Sequence, residues 1–98
     1  MYVGIFKSVR VKPGCEKRFE LLMNAFGNDI ALLEPGCRMR SVMRSPTDPH
    51  VYTVHEEYWN EEAWAVHNLT DHKRRYCPSI LDLVEYCKSS RFDVAPET

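Results

Sequence analysis

His67 is the side chain in this 98-residue sequence best suited to moving a proton near neutral pH, since an unperturbed imidazole titrates at about 6.5. It stands mid-helix, on the face expected to meet a sheet, and its spacing alone fits a proton-accepting imidazole or a structural one hydrogen-bonded to a neighbour. His72 and Tyr76 are four residues apart, so a helix places them on one face, as pocket-mouth or packing residues. Glu57, late in a strand beside Trp59, reads by spacing as a solvated or interface carboxylate.

Metal and nucleic-acid chemistry fit these residues less well. His67, His72 and Cys77 are spaced five apart, which turns successive ligands by about 140° on one helix, so they do not converge. Paired short Cys or His spacings, the usual zinc signature, are missing. Arg38, Arg40 and Arg44 form a basic stripe, with Arg10 nearby, but the adjacent strand carries acids. Cross-strand pairing with Glu56 accounts for the stripe better than RNA, which would call for an aromatic and glycine-rich strand. No phosphate loop, nucleophile elbow or dinucleotide fingerprint occurs.

The elements that must position these groups follow from periodicity. Val3, Ile5, Val9 and Val11 share one parity, broken by Lys7, which predicts a strand over Tyr2–Val11 ended by Pro13-Gly14. Phe19, Leu22, Met23, Phe26, Ile30 and Leu33 recur at helical steps, predicting a helix from Glu16 to about Leu33. Gly27 weakens it by about 1 kcal/mol relative to Ala. Alternation returns over 37–44, and after the Ser45–Pro49 turn over 50–59, predicting an antiparallel pair. Asn60 caps a helix to about Asn68, with Glu61 and Glu62 in its first turn; Trp64 on it reads as a core or interface residue. Thr70 and Asp71 open a second helical piece that Pro78 interrupts after Tyr76, and Ser79 to Asp82 opens a last turn. A fourth strand over 85–94 and a polar tail from about 95 complete the chain.

The order is β-α-β-β-α-β: an α+β, ferredoxin-like subunit, an antiparallel four-stranded sheet with its helices on one face. The other face carries Tyr2, Phe6 and Val42, and pairing two such sheets would bury them in a homodimer.

Composition agrees with one domain over 1–98. Hydrophobic residues are 44% and charged residues 28%, and the net charge is -1, so bulk attraction to nucleic acid or membrane is not expected. No apolar run spans a bilayer and no secretory signal opens the sequence, so a cytoplasmic location is expected. Four cysteines without a Cys-x-x-Cys pair read as reduced, mostly buried thiols.

Val9-Arg-Val-Lys-Pro-Gly14, Glu34-Pro-Gly-Cys37, Glu57-Tyr-Trp59, Glu62-Ala63 and His67, in that order, resemble the antibiotic biosynthesis monooxygenase family over nearly the whole chain. The resemblance implies a dimeric α/β barrel with a small pocket between sheet and helices. It also implies a cofactor-independent monooxygenase that takes O2 and a small aromatic, quinol or polyketide-like substrate, with no metal. His67 would be its base and Glu57 would orient His67. His72 or Tyr76 would hold the substrate oxygen, while Trp59 and Met39 keep water out. Two departures stand out: the interval from Trp59 to His67 is one residue shorter than usual, and Pro78 stands near the place where haem-degrading relatives carry a His. A small-molecule isomerase or tautomerase using the same pocket, and a non-catalytic ligand-binding dimer, are the alternatives.

Overall fold

In the computed structural model, which describes residues 1–96, the alternating apolar parity of β1 (Tyr2–Val11) becomes the floor of the core. Val3, Ile5, Val9 and Val11 are buried there, as the period of two requires. β1 lies between β3 (Val51–Tyr58) and β4 (Val84–Val94), and β2 (Cys37–Arg44) pairs with the outer edge of β3. The sheet order is therefore β2-β3-β1-β4, antiparallel throughout. Of the polar tail, Glu97 and Thr98 lie outside the described residues.

Helix α1 (Glu16–Leu33) lays Phe19, Met23, Phe26 and Ile30 on the sheet. Leu22 is only half-buried, at the margin of the stripe, and Leu33 is exposed where the stripe drifts off the contact at the end of the helix. Arg40 of β2 passes beneath α1 at Gly27. A Cβ on Gly27 would stand 2.6 Å from the Arg40 Nη1, so this glycine makes room for the guanidinium.

α2 (Glu61–His67) starts where expected, with the Asn60 side chain accepting the Ala63 N–H at 2.9 Å. It approaches the Pro35-Gly36 turn so closely that a Cβ on Gly36 would meet the Ala63 Cβ at 2.6 Å. α3 runs Asp71–Leu81, capped by Thr70, with Pro78 inside it; the expected break after Tyr76 is absent. Proline removes one N–H, but the turn it heads still closes, with the Asp82 N–H reaching the Pro78 carbonyl at 3.1 Å.

A register shift between Cys37 and Met39 sets Arg38 and Met39 against Glu57 together. The expected single-face arginine stripe is thereby split. Arg38 lies on the open face of the sheet, its guanidinium 3.9 Å from the Tyr2 ring centroid, while Arg40 lies beneath α1. The open face also carries Phe6 stacked on His55 at 4.1 Å, and the edge of Phe92 at 5.4 Å from Phe6.

Candidate functional site

Between sheet and helices lies a cavity of about 220 Å³. β1 and β3 give its floor through Val9 and Val54, α1 its roof through Phe19, Met23 and Phe26, α3 one wall through Cys77, Ile80 and Leu81, and β4 its rim through Val84 and Cys87. Its charged lining residues are Lys7, Arg40 and Glu56, from three neighbouring strands. Glu56 is 2% exposed and is held by both cations, 3.3 Å from Arg40 Nε and 3.8 Å from Lys7 Nζ. Arg40 Nη1 also donates to the Met23 carbonyl at 3.3 Å. Two cations facing one carboxylate leave a surplus positive charge in an otherwise apolar chamber, where a substrate oxyanion would be stabilised far more than in water. A larger and more open depression of about 700 Å³ lies along α1 and β2, lined by Leu21, Met23, Val42 and Tyr52 together with Lys17, Glu20 and Arg44.

Behind Phe26 is a second polar cluster. Glu34, the residue that ends α1, is 6% exposed, His67 2% and His72 5%. His67 Nδ1 lies 2.8 and 3.1 Å from the two Glu34 oxygens, and His72 Nε2 bonds to Oε2. Each imidazole donates its ring N–H to the carboxylate. Burial pushes the His67 imidazole below its ordinary value, against the opposing charges of Glu56 and Glu34, so it is neutral at pH 7. The Phe26 ring centroid lies 6.1 Å from both imidazoles and 5.5 Å from Tyr76. Tyr58 packs 5.1 Å from His67; burial holds its phenol well above the usual range, and its hydroxyl has no hydrogen-bond partner among the described residues.

The structure thus gathers His67, His72 and Tyr76 around Phe26, but the cavity lining contains none of them. The expectation that His67 faces the pocket is corrected: His67 is not part of the lining and packs against Phe26, which is. Glu57 does not orient His67. Even-numbered β3 residues face the helices, so Glu57 points to the other side, where it bonds Arg38 and lies 3.0 Å from His55 Nε2. Glu34 takes the orienting role. Met39 pairs with Glu57 on that same open face, and Trp59 packs on Tyr2 at 5.4 Å, half-exposed; neither lines the cavity.

Of the cavity's charged groups, Lys7 was visible as the break in the apolar parity of β1, and the Arg40–Glu56 pairing was legible across β2 and β3. Glu34 carried no local signal beyond its place before Pro35-Gly36. All four cysteines are free thiols. Cys87 is exposed and the other three half-buried; burial pushes the Cys37 thiol up to about 11. Among the described residues, no cluster of three or more His, Cys, Asp or Glu is arranged to hold a metal ion, and no helix is long and apolar enough to cross a membrane.

The family model for antibiotic biosynthesis monooxygenases matches residues 2–78. A candidate antibiotic biosynthesis monooxygenase from Caulobacter crescentus CB15 superposes with a TM-score of 0.92 at 23% identity, over 97% of this chain and 91% of its own. A similarly described protein from Nitrosomonas europaea gives 0.85 at 20%, over 93% and 88%, and a Mycobacterium tuberculosis protein 0.87 at 18%, over 99% and 98%. These structures share the fold. A search of curated sequences finds no match.

Proposed function

The chain belongs to the antibiotic biosynthesis monooxygenase family, and from that premise we propose that it oxygenates a small electron-rich phenol or quinol in the cavity between sheet and helices, with the substrate as its own reductant. The carrying observation is the apolar chamber of about 220 Å³ whose charged groups are Lys7, Arg40 and Glu56. It lies below the 300–1,000 Å³ of drug-sized sites, which favours a ligand of one or two rings.

Glu56 takes the substrate hydroxyl proton, and the oxyanion moves opposite Lys7 and Arg40. Charge delocalised onto a ring carbon that bears two hydrogens in the keto tautomer is passed to O2. A C–O bond forms, giving a hydroperoxide on protonation, and loss of water leaves a carbonyl. One oxygen atom enters the product, the other leaves as water, and both electron pairs come from substrate C–H bonds. The apolar walls exclude water from the anion. His67, behind Phe26, acts as a positioning residue that fixes the Phe26 wall. The exposed aromatic residues of the open face support a homodimer that closes two sheets against each other.

O2 uptake with one- and two-ring hydroquinones and phenols tests this reading, with three-ring anthrone-like phenols as the size control. The wild-type chain consumes O2 with at least one member, and Glu56→Gln or Lys7→Met lowers turnover by ~10²–10⁴-fold with circular dichroism unchanged. No uptake across the panel overturns the oxygenase reading; unchanged uptake in folded Glu56→Gln removes Glu56 as the base.

A further inference from the structure

We propose that Cys77 and Cys87 are a covalent trap for electrophilic quinones, placed to capture the product of this cavity; the inference rests on the reading of the cavity as a phenol or quinol oxygenase site. The two thiols come from different elements, α3 and β4, and both line the one apolar chamber, whereas Cys15 and Cys37 do not. Lys7 and Arg40 line the same chamber, and cations that hold a phenolate oxygen also polarise a quinone carbonyl.

The chemistry balances without a further reactant. A thiolate sulfur attacks the ring carbon conjugated to the carbonyl and an S–C bond forms. The C=C pair shifts through the enone onto the carbonyl oxygen, which takes up the proton the thiol gave up; the ring-carbon proton then passes through solvent to the second carbonyl oxygen as the C–H pair enters the ring and restores aromaticity. The product is a hydroquinone thioether, with the quinone reduced by two electrons and the protein heavier by the whole quinone mass. Cysteine sulfur is among the strongest side-chain nucleophiles. A quinone seated in the chamber meets these sulfurs at an effective concentration no free thiol matches. The attached ring then fills the chamber, so accumulating product shuts off the site that made it.

The probe is 1,4-naphthoquinone added directly to the full chain, with labelling read by intact mass and peptide mapping. Adducts are expected on Cys77 at least ~10-fold faster than on Cys15, which is equally half-buried, as seating in the chamber requires; Cys87 is exposed, so for it the chamber shows as protection rather than as rate. Naphthalene, a ring of the same size without an electrophilic carbon, should slow that labelling in the folded chain but not in urea. Cys77→Ser/Cys87→Ser should remove it. Equal labelling of Cys77 and Cys15, no protection by naphthalene, or no adduct at either Cys77 or Cys87 overturns the trap. Because the probe needs no turnover, the two readings separate. A chain labelled at these residues that consumes no O2 loses the oxygenase reading and keeps the thiol site. One that consumes O2 and is unlabelled there loses the trap alone.

Discussion

Removing the Glu34 carboxylate should cost a large part of this chain's stability, although the residue lies outside the cavity. Glu34 receives the ring N–H of both His67 and His72, and all three groups are buried. In Glu34→Ala two buried donors lose their partner at about 1–3 kcal/mol each, or roughly 4 kcal/mol together at the middle of that range. A domain of this size has roughly 5–15 kcal/mol in all. With an m-value of about 1.5 kcal/mol/M in urea, the midpoint should fall by about 2–3 M. Glu34→Gln should fall less, by about 1 M: its amide oxygen keeps one imidazole, and the other can switch tautomer to accept from the amide N–H. The assay is urea unfolding by circular dichroism at fixed protein concentration, since self-association would add a concentration term. An Ala midpoint within about 0.3 M of wild type, well inside the predicted loss, would refute the claim that this carboxylate ties α1 to α2 and α3.

Two further outcomes follow from the same geometry. The buried His67 titrates below its unfolded value of about 6.5, so its contribution to stability is complete above that pH and is lost as pH falls from 6.5 towards the folded value, by at most ~1.4 kcal/mol per pH unit; urea midpoints should drop between pH 7.5 and 5.5, less so in His67→Gln, and equal slopes in both proteins would disprove the assignment. Sedimentation at micromolar concentration should give twice the 11.5 kDa chain mass, with Phe6→Lys on the open face shifting the species to a single chain; wild type sedimenting only as 11.5 kDa would eliminate the sheet-to-sheet pairing.

The strands and α1 could be read from the sequence because each buries one regular face, and burial imposes a period. The fold order followed directly. What resisted reading was set by distant partners. Glu34 meets imidazoles 33 and 38 residues away, a contact no local pattern encodes. Glu57 and Glu56 are adjacent and alike in type, yet one serves the open face and the other the cavity; a single step of strand parity decides between them. α3 runs on through Pro78 because a missing N–H near a helix end is a smaller loss than the proline signal suggests. Lys7 was legible as an interruption, but only the cavity gives that interruption a purpose.

The irregular pairing at Arg38 makes β2 separable into two independent scripts. Omitting Arg38 would leave Cys37 opposite Tyr58 and Met39 opposite Glu57, so the ladder beyond would keep every partner it has. Arg38 is thus the supernumerary residue, and its contacts, Glu57, Tyr2 and Trp59, all belong to the exterior of the sheet. Arg40, two positions on, meets Glu56, Met23, Phe26 and Gly27 on the helix side. Selection can therefore redraw what this surface meets without disturbing what the chamber accepts, and the reverse. One eight-residue strand can thus evolve along two unlinked paths.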